Sequence, residues 1–466
     1  MWPAAGVEVG MPSTTSVILC VIGLWCLVGL AACGAERSAA PSAASKGATP
    51  ATGKAPTAAA ATASAPVDGI TEGVYRACLA WFDWAIESGA VAKMVPTAEK
   101  AAERLIAGGD LQGAGNPGFC DELDVRAGGF PFARRLNMDV PGNGDVVLIG
   151  HFRPDGSDFE YGLLNAEQRK RDYGQALVVH FGSHRWPHLR KAAATTGPQA
   201  DDRLVLIDTN APAGGDWPAV CVGQMATTAL AWAFHGEVMS AATRRNRTLA
   251  TYASDCEPGG YEWDDSVRGQ HLHPTYRVAA VEAGKLGNEY LRICRSQIEQ
   301  FARTQTAAVR GGAARMARCM YRGGSVSILT SGHIHVRGAL MPSLPGLSLA
   351  GREDAWNGVR YDMKAGQCLL WMGYLRYPKE VIDEALAGGA EAVVFTVDDG
   401  PSDSRRTHVR GCWADFDTVV SLPRYPIKVL PSSGVVQTPQ WYSILAEAEA
   451  AYRALRRTRP AAPPAP

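Results

Sequence analysis

Two long stretches of the chain place apolar side chains three and four residues apart, the stripe of an amphipathic helix. They are residues 75–109, "YRACLAWFDWAIESGAVAKMVPTAEKAAERLIAGG", and residues 290–324, "YLRICRSQIEQFARTQTAAVRGGAARMARCMYRGG". Each is predicted as a helix, a break near its middle, a second helix and a Gly-Gly stop. Short, largely apolar runs follow each of them. After the first come "DLQGAG", "DVVLIG" (145–150), "ALVVHF" (176–181) and "RLVLIDTN" (203–210). After the second come "SVSILTSG", "CLLWMG" (368–373), "AVVFTV" (392–397) and "FDTVVSLP" (416–423). Continuous apolar strands of this length imply parallel sheets covered on both faces.

The two series match element by element, so the pattern predicts an internal repeat. Unit one spans 68–245 and unit two 286–456, joined by a polar, aromatic connection at 246–285 that contains "DCEPGGYEWDDSVRGQHLHP".

The N-terminal region departs from this pattern. "SVILCVIGLWCLVGLAAC" is one apolar run, shorter than a full membrane span and suited to a signal-peptide core. It closes on Leu30-Ala31-Ala32-Cys33, which resembles a bacterial lipobox; the resemblance implies lipidation of Cys33 after cleavage, giving residues 1–33 as signal peptide. Residues 34–67 are mostly Ala, Ser, Thr, Pro and Gly, with Glu36, Arg37, Lys46 and Lys54 among them, a composition that buries too little surface to order itself and reads as a tether. The tail 457–466 reads the same way. The expected location is the cell envelope, on the membrane through the anchor, or the cytoplasm if the start site lies elsewhere. With 46 basic and 46 acidic residues there is no electrostatic footprint for nucleic acid.

Eight cysteines follow Cys33. Several sit in apolar patterns and read as buried thiols, with Cys221 and Cys256 as the favoured pair if any is oxidised. "HFGSHRWPH" spaces His180, His184 and His188 four apart, but the run begins in a strand and carries Pro187, so no metal site is expected.

Residues 113–118 read "GAGNPG", a G-x-G-x-x-G. A dinucleotide fold also needs an acidic residue ending the next strand. "DVVLIG" is followed by His151 instead, so no nucleotide cofactor is expected. The order of helix, Gly-Gly, strand, small-residue loop, helix and second strand resembles the SIS (sugar isomerase) domain, present twice over about residues 70–455. "GAGNPGFCDELDVRAGG" is the closest stretch. The resemblance implies an α/β fold of two tandem, doubly wound parallel sheets in flavodoxin-like order. It also implies binding of a carbohydrate derivative without a cofactor.

The resemblance directs attention to Gly113, Gly115 and Asn116 after the first strand of unit one, and to Thr330, Ser331, Gly332 and His335 at the corresponding place in unit two. His151 follows the second strand of unit one. An aldose–ketose isomerase requires a proton-transfer base, and Glu122 and His333 are the candidate catalytic residues. The family's hydroxyl-rich loop after the second strand is replaced by "GHFRPDGSD" and "MGYLRYPKE". The expected function is therefore binding of a carbohydrate derivative by an envelope-anchored protein without typical isomerase activity. An active isomerase with a remodelled site and a structural envelope lipoprotein are the alternatives, and homodimerisation stays open.

Overall fold

The computed structural model describes residues 69–124, 126–136, 141–156, 174–190, 203–330, 341–349, 363–374, 376–413 and 416–458. Helices α1 (Ile70–Glu87) and α2 (Ala90–Ile106) lead into β1 (Leu111–Gly115), a short α3 (Pro117–Leu123), β2 (Ala133–Arg135), β3 (Val146–Gly150), β4 (Leu177–Gly182), β5 (Leu204–Asp208) and the long α4 (Trp217–Arg244). After α5 (Gly260–Val267) the series restarts: α6 (Lys285–Tyr321), β6 (Val326–Thr330), β7 (Leu347–Leu349), β8 (Cys368–Met372), α7 (Lys379–Ala387), β9 (Glu391–Thr396) and β10 (Arg406–Arg410). Strands β11 (Thr418–Ser421) and β12 (Lys428–Pro431) precede the final α8 (Ser433–Arg457).

The first five strands form a sheet in the order β2-β1-β3-β4-β5, and the second five one in the order β7-β6-β8-β9-β10. Counted within each series, both read 2-1-3-4-5, and every pairing is parallel. The doubly wound parallel sheet that the resemblance implied is thus present twice, with five strands each time, in the expected flavodoxin-like order.

Alternation along the strands shows how the layers stack. Val146 and Leu148 of β3 and Cys368, Leu370 and Met372 of β8 belong to one continuous core with the apolar faces of α1, α2, α4, α6 and α8. The opposite faces contribute to two smaller clusters, one around Val147 and Ile149 and one around Leu369 and Trp371. The long helices therefore fill the space on the inner faces of both sheets. In α4 every residue from Ala219 to Thr243 is buried, as a helix surrounded by protein must be.

The Gly-Gly stops are the sharpest local sign of the repeat. Gly108 and Gly323 adopt left-handed backbone, with φ of 94° and 85°. The next glycine then donates to the carbonyl five residues back, Gly109 to Arg104 and Gly324 to Cys319, at 3.0 Å in each case. That is the Schellman closure glycine permits. In both copies a Cβ on the second glycine would be driven into the carbonyl of the turn before the sheet's third strand, Gly144 or Gly366.

Three expectations are corrected. The break expected in the second helical stretch is absent, since α6 runs unbroken from Lys285 to Tyr321. Its counterpart separates α1 from α2 at Gly89, which takes φ 66° as the N-cap of α2; the aligned residue, Thr304, cannot do so cheaply and stays helical. Residues 416–423 do not provide the fifth strand of the second sheet. That place belongs to β10, and β11 pairs antiparallel with β12 instead. An edge strand buries one side weakly, so "RTHVR" carries no apolar run to announce it. Finally, Cys221 does not face Cys256: its Sγ lies 3.6 Å from Cys78 Sγ, and Cys256 is exposed.

Candidate functional site

In a doubly wound sheet the strands' C-terminal edge, and above all the crevice where the order reverses, is where a ligand fits. In the first sheet that crevice lies between β1 and β3. "GAGNPG" is hardly a loop there. Gly113 and Gly115 belong to β1, Asn116 is the N-cap of α3 with its Oδ1 accepting from Gly118 N at 2.8 Å, and Pro117 is already helical. Asn116 N donates to Gly150 O at 2.9 Å, which ties the end of β1 to the end of β3. The ring of Phe119 lies against Gly150, where a Cβ would enter it. Phe119 also meets Phe152 and Phe181, with centroids 6.3 and 6.1 Å away. The crevice is filled by three buried phenyl rings.

Glu122 lies near the C-terminal end of α3, not at a helix N-terminus, and is fully buried. Its Oε1 accepts from Trp232 Nε1 at 2.7 Å, and its Oε2 is 3.5 Å from Arg126 Nε. Arg126, equally buried, donates from Nη2 to Asp417 Oδ2 at 2.8 Å and to Ser433 Oγ at 2.7 Å. Asp417 in turn accepts from Ser432 N and Ser433 N at the start of α8, at 3.0 and 2.5 Å. Burial opposes the charge on Arg126, but Glu122 and Asp417 outweigh it and hold its pKa above the ordinary value. This network joins α3 of the first series to the β11–β12 hairpin of the second. Glu122 is engaged there by Trp232 and Arg126.

His151, after β3, is fully buried. Its Nε2 is 3.2 Å from His180 Nδ1, and the His188 ring lies 5.6 Å away. Burial, then the neighbouring His180 and His188, push its pKa well below the usual imidazole value, so it stays neutral. His184 instead sits at the surface beside Asp208, at 3.7 Å. Among the described residues no group of three or more His, Cys, Asp or Glu is arranged to hold a metal ion.

In the second sheet, Thr330 ends β6, is buried, and its Oγ1 has no partner among the described residues. It shares a sheet face with Val326 and Ile328, which look toward the helical core. Its register partner is Met372; the next carbonyl, of Gly373, accepts from Gln437 Nε2 of α8 at 2.7 Å. Gln437 Oε1 and both amide atoms of Gln440, one turn along the same helix face, are buried without partners among the described residues. Ser331, Gly332, His333 and His335 lie outside the described residues, as does Cys33.

A cleft of about 890 Å3 opens beside this edge, at the ends of β9 and β10. Gln297, Gln300 and Thr304 line it from α6, at spacings of three and four residues that place them on one helix face. Arg410 lines it from the end of β10, Trp413 and Phe416 from the segment that follows, and Lys428 from β12. Gln305 Oε1 accepts from Arg410 N at 3.0 Å, and Gly411 N donates to Thr396 O at 2.7 Å; these bonds fix the start of that segment. Trp413 stacks on Tyr374, centroids 6.5 Å apart and planes 18° apart. Trp413 Nε1 and Gln297 Oε1 have no partner among the described residues. Phe416 and Asp417 both take left-handed backbone, φ 61° and 72°. That strain is offset where Asp417 is clamped by Arg126 and the α8 amides. None of the cleft residues was singled out from sequence; the Gln297–Gln300–Thr304 face was the available signal, a polar stripe on an otherwise amphipathic helix.

No protein-family model matches the sequence, and no curated protein matches it. Among solved structures, similarity extends to a candidate phosphosugar isomerase from Silicibacter pomeroyi, at 14% identity and TM-score 0.42, covering 81% of this chain and 98% of that one. The C-terminal domain of glucosamine-fructose-6-phosphate aminotransferase from Francisella tularensis is similar at 10% identity and TM-score 0.43, over 81% and 96%. A candidate phosphosugar isomerase from Clostridium difficile is similar at 8% identity and TM-score 0.46, over 85% and 95%.

Proposed function

We propose that this chain binds a carbohydrate derivative at the C-terminal edge of its second sheet and lacks typical aldose–ketose isomerase activity. The observation that carries the reading is the set of polar groups there with no partner among the described residues: Thr330 Oγ1, Gln437 Oε1, the Gln440 amide, Gln297 Oε1 and Trp413 Nε1. Buried polar groups are ordinarily satisfied, and sugar hydroxyls both donate and accept. The amide face of α6 and the aromatic rings of Trp413 and Phe416 add the hydrogen bonds and apolar surface that a sugar ring uses. Arg410 and Lys428 suit an acidic substituent such as a phosphate or carboxylate. Two features support the absence of isomerase chemistry: Glu122 is held by Arg126 and Trp232, and phenyl rings fill the crevice of the first sheet.

Calorimetry against a panel of amino sugars and sugar phosphates tests this reading. Gln300 and Thr304 are exposed on α6, so replacing both by Ala should leave the fold intact. Losing two neutral hydrogen bonds of about 0.5–1.5 kcal/mol each should weaken binding roughly tenfold. A ligand bound equally well by this double variant but lost in Thr330→Ala would move the site to the β6–β8 crevice. Interconversion of a sugar phosphate at an enzymatic rate, followed by NMR, would overturn the non-catalytic part.

The same proposal places the protein on a membrane through a lipid on Cys33, supported by the apolar run that ends in Leu30-Ala31-Ala32-Cys33. Cys33→Ala should release the chain from the membrane fraction or leave an uncleaved precursor. An unchanged membrane fraction with an intact N-terminus would remove the anchor from the proposal.

A further inference from the structure

We propose that Cys78 and Cys221 are a disulfide site that staples α1 to α4 inside the core. The two Sγ atoms are 3.6 Å apart, and both residues are wholly buried. A disulfide brings its sulfurs to about 2.0 Å. The remaining gap is about 1.6 Å, which rotation about the two Cα–Cβ bonds acts to close. The pair joins helices that sequence proximity would not bring together, 143 residues apart. Cys256, the partner expected from the sequence, is exposed, and Cys294 lies beside Tyr290.

The chemistry balances as an exchange. Each thiol loses its proton, the pair gives up two electrons as the S–S bond forms, and a small-molecule or protein disulfide takes up both and becomes two thiols. The attacking species is a thiolate. In the folded protein, burial and then the adjacent Cys78 push the Cys221 thiol well above its ordinary range. Exchange with an outside oxidant therefore belongs to folding, while α1 and α4 are docking, and the finished bond is sealed from reductant. A crosslink closing so long a loop constrains the unfolded chain strongly. This inference is independent of the ligand and of the anchor.

The test uses the full, unsubstituted chain. It is refolded from denaturant either in a mixture of oxidised and reduced glutathione or in excess dithiothreitol, then digested without reduction and analysed by mass spectrometry. The expected product of the first condition is a joined pair of peptides carrying Cys78 and Cys221, two hydrogens lighter than the separate thiols. The oxidised protein should melt several °C above the reduced one, on the order expected for a long-loop crosslink in a chain of this size. Dithiothreitol should cleave the bond only after denaturant is added. Recovery of both cysteines as alkylatable thiols after glutathione refolding would overturn the proposal. So would a crosslink from Cys221 to any other cysteine, or reduction of the native protein at the rate of an exposed disulfide.

Discussion

Replacing Arg126 by Met should cost the protein about 3–5 kcal/mol, the range for removing one partner of a buried ion pair. The guanidinium is the only cation within the buried cluster formed with Glu122, Asp417 and Ser433 among the described residues. Without it Glu122 keeps the Trp232 indole N–H and Asp417 keeps the amides of α8 and the Ser433 hydroxyl, but the cluster loses its cation. Methionine fills much of the volume, so the loss is electrostatic rather than a cavity. Arg126 and Asp417 are 291 residues apart, one from each series. The substitution should therefore loosen the hairpin against α3 as well as lower the urea midpoint, read by tryptophan fluorescence. Adding Glu122→Gln and Asp417→Asn should recover part of the loss, since neutral amides retain most of the hydrogen bonds. A single substitution that stays within about 1 kcal/mol of the parent would show that the network contributes little.

Gly150→Ala should be comparably damaging, and for a steric reason. The new methyl enters the Phe119 ring, where a well-packed core has nowhere to send it. Overpacking of this kind costs about 1–3 kcal/mol and more when the obstacle is a ring backed by other rings; here Phe152 and Phe181 stand behind it. Phe119→Ala alone should cost about 3–5 kcal/mol through lost burial and the cavity left. The two should not add. Removing the ring makes room for the methyl, so the double variant should be more stable than the sum predicts by roughly 1–3 kcal/mol. Strict additivity in denaturant melts would mean that Phe119 does not occupy the crevice between β1 and β3.

Much of the architecture was legible because burial on two faces leaves an unmistakable run of apolar residues. "DVVLIG", "ALVVHF", "CLLWMG" and "AVVFTV" all became central strands. The edge strands β2, β7 and β10 were not legible, since pairing along one side places little demand on side chains, whereas β5, also at an edge, keeps the apolar run "LVLI". The site was harder still. "GAGNPG" has the spacing of a phosphate loop, but the same glycines and asparagine also suit a strand end capped directly into a short helix. Which use prevails depends on Phe119, whose ring meets Gly150 only once β1 and β3 lie side by side.

Periodicity and glycine placement, which are local properties, were enough to establish a repeated α/β series with helices ending at Gly108 and Gly323. Hydrophobic burial acts at every position of a strand or helix, so its pattern survives in the order of residues. The partners of Glu122, the thiol that Cys221 meets, and the cleft walled by α6, the segment after β10 and the hairpin are of another kind. Each is a contact between residues far apart in the chain, whose identities constrain one another only through packing. A carboxylate reads the same whether it faces solvent, substrate or Arg126; its surroundings, assembled when the two sheets close on one layer of helices, decide between them.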